Sequence, residues 1–211
     1  QIKADKKLVV SLILPPTLAP TQVVLVPIWK TEEEKAAVKQ AAENIQQGLG
    51  SRIRIHFDLR EEVSPGFKFN EWELKGVPLR IELGPRDLAK AQVTVVSRLD
   101  RKKEPIPLAD LESRLPRMLE DFQNSLYERA LKFRNENTRP AGSYAEFKEQ
   151  IETLGGFFEA FWCGNPECER KIKEETKATI RCIPLEGQDR EGVCLFCGSV
   201  ARTIVMLARA Y

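Results

Sequence analysis

Apolar and polar positions change period several times along this chain. Val23 to Ile28 is apolar throughout and rich in β-branched Val, the pattern of a strand covered on both faces. Thr31-Glu32-Glu33-Glu34 forms a capping box, in which the Thr hydroxyl and a Glu carboxylate satisfy free amides of a first helical turn. Val38, Ala41, Ala42, Ile45 and Leu49 then share one helical face, and Gly48 and Gly50 are expected to end it. Arg52 to Phe57 alternates, with Ile53, Ile55 and Phe57 on one side. A strand–helix–strand unit with parallel strands follows.

Residues 58–76 read as a polar loop interrupted by Phe67, Phe69 and Trp72. Val77, Leu79, Ile81 and Leu83 then alternate with Pro78, Arg80, Glu82 and Gly84, which predicts a strand turning Arg80 and Glu82 to solvent. Gln92 to Arg98 predicts another strand and Arg101-Lys102-Lys103 a basic turn. Leu111, Leu115, Met118, Leu119, Phe122 and Leu126 mark a long amphipathic helix. A second capping box, Ser143 to Glu146, opens a shorter helix that Gly155-Gly156 ends. Near the start, Leu8 to Leu14 predicts a short strand, and the three prolines of Pro15 to Pro20 favour an extended connector. The elements therefore describe a strand–helix–strand unit with further strands and helices after it, and a compact C-terminal module, the boundary falling within 140–155.

The composition narrows the class. With 211 residues, 42% apolar and 30% charged, the chain has neither the low-hydrophobicity signature of disorder nor the cysteine density of a small secreted scaffold. No apolar run approaches the ~20 residues of a membrane helix. Lys6-Lys7 before Leu8 imitates a signal peptide, but Pro15-Pro16 cuts the run short and no small-residue cleavage site follows, so the chain reads as cytoplasmic. It opens on Gln1 without an initiator Met, which reads as a cut through something longer.

All five cysteines fall between residues 163 and 197. Cys163-Gly-Asn-Pro-Glu-Cys168 and Cys194-Leu-Phe-Cys197 are two short pairs, each able to turn two thiolates toward one metal, with Gly164, Asn165, Pro166 and Gly198 supplying the turns. Two pairs make a four-sulfur tetrahedron with no open position, which is the chemistry of structural Zn2+. Arg170, Lys171 and Arg202 lie near enough in sequence to compensate the thiolates. The competing readings are disulfides, which a reducing compartment disfavours, and a redox dithiol, which needs one motif opening a helix. Cys182 is left over and reads as a small buried hydrophobe.

Net charge is only +2, from 33 Lys+Arg against 31 Asp+Glu, which by itself says nothing of nucleic acid. Residues 51–103 hold 12 basic against 8 acidic side chains. Within them Phe67-Lys68-Phe69-Asn70-Glu71-Trp72-Glu73, Arg80, Arg86-Asp87 and Lys102 interleave aromatics with both signs of charge. Aromatics stack unpaired bases, Arg donates to guanine O6 and N7, and carboxylates accept from base N–H groups. A solvated charged face is the commoner outcome of such runs.

The stretch from Pro65 to Asp87, PGFKFNEWELKGVPLRIELGPRD, resembles the anticodon-binding domain of prolyl-tRNA synthetases. The leader Leu14 to Ile28 resembles that family's join between catalytic and anticodon domains, and the four-cysteine module closing on Ala210-Tyr211 resembles its eukaryote-like or archaeal-like form. The resemblance implies an α/β domain over residues 20–140, with the helix-flanked mixed sheet of a class II anticodon-binding domain, then a small α+β zinc-binding domain over 141–211, with 1–19 as a linker from the catalytic domain. It implies that Phe69 stacks on a base, that Glu73 and Asp87 accept from guanine N–H groups, that Arg80 donates to guanine and that Lys102 contacts base or phosphate. Phe69 has the alternative of a core aromatic under the loop, and Glu82, as an outward surface charge, is left out of the set.

The implied partners are the anticodon loop of proline tRNA, the protein's own catalytic domain and, for the whole protein, a second subunit; neither membrane nor DNA is implied. Tyr211 is implied to support the active site through its terminal carboxylate, with a frayed terminus as the alternative. The whole protein would be a proline–tRNA ligase using ATP, but the arginine motifs that bind ATP are missing from this chain, which is expected to be inactive alone. His56, in a predicted strand, reads as a packed or exposed strand residue. A freestanding tRNA-binding or regulatory module, a nucleotide enzyme with a zinc tail and a zinc-dependent protein-interaction domain are the rival readings.

Overall fold

The computed structural model describes residues 2–4, 7–9, 12–49 and 53–210. Strands β1 (Ile2–Ala4) and β2 (Lys7–Val9) pair antiparallel. The strand expected over Leu8 to Leu14 is thus only partly seen: residues 10 and 11 lie outside the described set and 12–14 are irregular. The proline connector is not extended. Leu18 and Ala19 both donate to the Pro15 carbonyl, at 2.9 and 3.0 Å, and the Arg54 guanidinium donates to the carbonyls of Pro16, Thr17 and Ala19. A side chain far along the sequence folds the prolines into a turn.

Contacts divide the chain into Gln1–Tyr127 and Glu128–Tyr211. The first unit is built on β3 (Val23–Pro27), α1 (Glu32–Leu49), β4 (Ile55–Phe57), α2 (Pro65–Leu74), β5 (Leu79–Leu83), the single turn α3 (Pro85–Leu88), β6 (Gln92–Ser97), β7 (Lys103–Pro107) and α4 (Leu111–Glu136), which continues into the second unit. The sheet order is β4-β3-β5-β6-β7, with β3 parallel to β4 and β5 and the other neighbours antiparallel, the mixed sheet expected. The Thr31 capping box forms, since Glu34 N–H donates to Thr31 Oγ1 (3.2 Å) and Glu34 Oε2 accepts from Thr31 N–H. Gly48 sits inside α1 instead of ending it, and Gly50 lies outside the described residues. One sheet face packs Leu25, Ile81 and Val95 against Val38 and Ile45 of α1 and Leu115 and Phe122 of α4.

The loop expected over 58–76 is instead largely helix α2. Ser64 caps it, accepting from Phe67 N–H at 3.3 Å, and Pro65 fills the first position, where no amide is needed. Trp72 and Val77 pack on Val24 and Val26, covering the second face of β3. The inner side of α2 also carries Lys68, 2% exposed, and this polar residue breaks the apolar periodicity. Asp58 holds it in place: 1% exposed, it accepts from Trp72 Nε1 (2.8 Å) and Arg60 Nη2 (2.7 Å), while Lys68 Nζ donates to its carbonyl (3.1 Å). Burial works against the Asp58 carboxylate, but the Arg60 and Trp72 hydrogen bonds and the Lys68 charge outweigh it and hold its pKa well below the usual carboxylate range. Glu82 is 8% exposed, not turned to solvent as the alternation predicted, and Arg80 and Lys103 on the same face pair with it. His56 is exposed and tilts against Trp72, with ring centroids 4.7 Å apart.

The second unit comprises β8 (Thr138–Pro140), α5 (Tyr144–Thr153), β9 (Phe157–Trp162), α6 (Pro166–Thr176), β10 (Ala178–Cys182), β11 (Gly192–Val193), β12 (Val200–Ala201) and β13 (Thr203–Arg209). Its sheet runs β10-β13-β9-β8 around a core of Phe147, Ile151, Phe158, Ile172 and Leu207, the small α+β module expected. Ser143 and Glu146 form the reciprocal cap of α5. Among the described residues no helix is long and apolar enough to cross a membrane.

Candidate nucleic-acid interface and metal centre

Helix α2 covers β3 and leaves part of the adjoining sheet face to charged side chains. Register decides which residues share it. Arg80 lies opposite Val24 and Val96, and Val96 opposite Lys103; Glu82 lies opposite Val26 and Thr94. Opposed residues point to the same face, so Arg80, Glu82, Thr94 and Lys103 form a floor beside α2. From α2, Phe69 lays its ring under the Arg80 guanidinium, 4.1 Å from centroid to Cζ. Glu73 receives Arg80 Nη1 at 3.3 Å, Arg101 Nη2 at 3.4 Å and Arg98 Nη1 at 3.7 Å. Glu82 receives Arg80 Nη2 at 3.0 Å and Lys103 Nζ at 2.9 Å. Burial pushes the Arg98 guanidinium below its ordinary value; Glu73 opposes the shift, while Arg101 and Arg80 add to it.

Three of the expected residues, Phe69, Glu73 and Arg80, therefore meet directly. Asp87 reaches the floor from its other end. Its carboxylate accepts from Gly84 N–H (3.2 Å), Thr94 Oγ1 (3.2 Å) and Gln92 Nε2 (3.5 Å), which caps α3 and ties it to β6. Lys102 is exposed on the β6–β7 turn, with its backbone N–H donating to Asp100. The sequence reading set Glu82 aside as an outward surface charge and did not single out Arg98, Arg101 or Lys103. The signal that would have found Glu82 and Lys103 is β7 itself, whose Pro105 and Pro107 are tolerated because it is an edge strand.

The cysteine centre is built by two loops. Cys163 follows β9 and Cys168 lies in the first turn of α6, whose cap Asn165 accepts from Glu167 N–H at 2.9 Å. Cys194 and Cys197 lie in the turn joining β11 to β12, closed by Cys194 N–H to Ser199 O (2.7 Å) and Gly198 N–H to Cys194 O (2.9 Å). Gly164 and Gly198 take φ of 82° and 70°, the left-handed backbone such tight returns require. All four sulfurs lie within 4.8 Å of one another. Cys163 Sγ stands 3.6 Å from Cys168 Sγ and 3.8 Å from Cys197 Sγ. A tetrahedron of ~2.3 Å metal–sulfur bonds has sulfurs ~3.8 Å apart, so the donor set fits a four-thiolate metal ion.

Burial and the surrounding thiols push Cys168 up, whereas Ser199 holds Cys197 down at about 6. Two of the three basic residues nearby in sequence are engaged elsewhere: Arg170 pairs with Glu167 (2.7 Å) and Glu174, and Arg202 with Glu191 (2.8 Å). Cys182 is exposed at the end of β10, not buried as expected, because a register irregularity between Ile180 and Cys182 breaks the strand's alternation there. It is not one of the four clustered cysteines.

This fold and site define the anticodon-binding domain of a class II aminoacyl-tRNA synthetase. Residues 22–118 match the family described as "Anticodon binding domain", and residues 144–211 match "Prolyl-tRNA synthetase, C-terminal". The chain corresponds to the C-terminal region of the prolyl-tRNA synthetase family. Curated relatives named proline–tRNA ligase include one from Chloroflexus aurantiacus, 48% identical over 95% of this chain and 42% of its own length. Another, from Roseiflexus sp. (strain RS-1), is 44% identical with the same coverage. The crystal structure of the prolyl-tRNA synthetase from Cryptosporidium parvum complexed with L-proline and AMP is similar at TM-score 0.83 and 36% identity, covering 94% of this chain and 43% of that one. The chain thus spans about two-fifths of the length of these relatives. Tyr211 lies outside the described residues.

Proposed function

We propose that this chain selects tRNA for a proline–tRNA ligase by reading the two guanines that proline anticodons share. The observation that carries the reading is the Arg80 guanidinium stacked 4.1 Å over Phe69 and flanked by the carboxylates of Glu73 and Glu82. Phe69 stacks on a base, Arg80 donates to guanine acceptors, Glu73 and Asp87 accept from guanine N–H groups, and Lys102 contacts base or phosphate. Cys163, Cys168, Cys194 and Cys197 hold a structural Zn2+, a choice favoured by an all-thiolate set with no place for a reacting water. The anticodon-binding domain takes residues 20–140 and the zinc-binding domain 141–211, a division supported by the matched spans, with 1–19 as the join.

The whole protein attaches proline to its tRNA with ATP in the cytoplasm as a homodimer, and the Tyr211 carboxylate supports its active site. The ATP chemistry belongs to the catalytic domain and not to these residues. The test is a titration of the chain with proline tRNA and with a variant whose two guanines are replaced, at two salt concentrations. Preference for the native tRNA is expected, and Arg80→Ala should cost about 1–3 kcal/mol and relax it. Equal, salt-dominated binding of both RNAs would overturn base reading.

A further inference from the structure

The cations on the sheet floor fall into two groups. Arg80 and Arg98 have side chains 12% and 7% exposed, and packing around them holds them in place. Arg101 and Lys103 are 63% and 61% exposed, yet each closes an ion pair with a carboxylate of the floor, Arg101 with Glu73 at 3.4 Å and Lys103 with Glu82 at 2.9 Å. Arg101 also adopts a φ of 59°, left-handed backbone that a side chain other than Gly rarely takes. Its N–H donates to Ser97 O at 2.9 Å, so the β6–β7 turn fixes this geometry and aims the guanidinium at Glu73.

The carboxylates that would accept base N–H groups are thus already occupied by cations. Each carboxylate oxygen has two lone pairs, so a base can approach beside the present donors, but it takes the Oε2 positions held by Arg101 and Lys103 only if those donors leave. The ones free to leave are the two whose ends stand in water, because exposed ion pairs are weak and readily exchanged. Once displaced, Arg101 and Lys103 lie beside a chain whose every nucleotide carries a phosphate.

We infer that Arg101 and Lys103 are exchangeable counter-ions, which release Glu73 and Glu82 to an incoming guanine and pass to the phosphates of the same RNA strand. This rests on the base-reading proposal and adds Glu82 to its acceptors. Before RNA arrives both carboxylates keep ion-pair partners, and the cations that partner them contribute to binding afterwards.

The experiment compares the full chain with Arg101→Gly, Lys103→Ala and Arg114→Ala. Gly suits the backbone at 101, so that variant removes the guanidinium without straining the turn. Arg114 is the control, a half-exposed cation paired with Glu104 of β7 from helix α4, which packs on the opposite sheet face. Each protein is titrated with an anticodon stem-loop carrying the two guanines and with one carrying adenines there, across a salt series. Arg101→Gly and Lys103→Ala should each lower the slope of log K against log salt by about 0.7 with the guanine loop, whose bases displace the cations, and by less with the adenine loop, while Arg114→Ala leaves both slopes unchanged. Unchanged slopes, equal changes with the two loops, or tighter binding once the cations are gone would overturn the hand-over in proteins that still prefer guanine. A wild-type chain with no preference for guanine would overturn base reading, and the hand-over with it.

Discussion

The sheet floor of the first unit and the cysteine cluster of the second both crowd like charges, but they neutralise them differently. Around Glu73 three guanidinium groups gather within 3.7 Å, and each cation of the floor pairs with Glu73 or Glu82, which offsets part of the positive charge without help from outside. Around Cys168 and Cys194, both buried, Arg170 and Arg202 offer no such pairing, since they pair with carboxylates of their own. A surface whose charges pair among themselves folds before it meets its ligand and can exchange partners with it. Four thiols gathered in one place become a stable thiolate set only around a cation, which under the proposed reading ties the folding of that unit to metal.

The largest expected effect follows from that contrast. Removing the metal with a chelator, or replacing one buried ligand by Cys168→Ser, should abolish the cooperative unfolding transition of residues 128–211, because binding of a structural metal in such modules supplies ~10–16 kcal/mol of folding free energy. Residues 12–127 should keep their own transition. Thermal unfolding followed separately by Trp29/Trp72 and Trp162 fluorescence, using single-tryptophan variants, distinguishes the two. A metal-independent transition reported by Trp162 would end the comparison.

The first unit has its own point of weakness at Asp58, the buried carboxylate joining Trp72, Arg60 and Lys68. Asp58→Ala should destabilise that unit by about 3–5 kcal/mol, because Lys68 is left buried with its charge uncompensated. Asp58→Ala with Lys68→Met should recover part of the loss. The folded pKa of Asp58 lies below its unfolded value of about 3.9, so its contribution is complete above that pH and is lost as pH falls below it. Denaturant unfolding of the first unit should therefore weaken between about pH 4 and pH 2 in the wild type, and less in Asp58→Asn. An equal acid dependence in both proteins would exclude Asp58 as its source.

The same two regions explain what could be read without coordinates. The cysteine ligands come as close pairs, and the caps at Thr31 and Ser143 involve residues three apart, so short-range spacing carried both. Helix α2 was hidden because its inner face carries Lys68, whose partner Asp58 lies ten residues earlier in an irregular segment. Strand β7 was hidden by its prolines, and with it the position of Lys103 opposite Val96. Phe69, Glu73 and Arg80 were found through a family resemblance. Glu82 was set aside because alternation alone cannot reveal that cations from β5 and β7 enclose a carboxylate on the supposed wet face.

The smallest effect gives the finest division between the units. Thr31 caps α1 in the first and Ser143 caps α5 in the second through the same reciprocal bonds, at 3.2 Å from the hydroxyl to the third amide in each. Either Ala substitution should cost about 1 kcal/mol, since the lost acceptor leaves a first-turn amide to water. In the metal-loaded chain Ser143→Ala should lower the Trp162 transition by about 4–8 °C, the scale for a domain of its size, and leave the other in place. Thr31→Ala should lower only the first unit's transition, and by fewer degrees, because a larger unit spreads the same loss over a larger unfolding entropy. If either substitution moved both transitions together, the two units would unfold as one, and the contrast between a floor paired from within and a module proposed to need metal would hold for their chemistry but not for their stability.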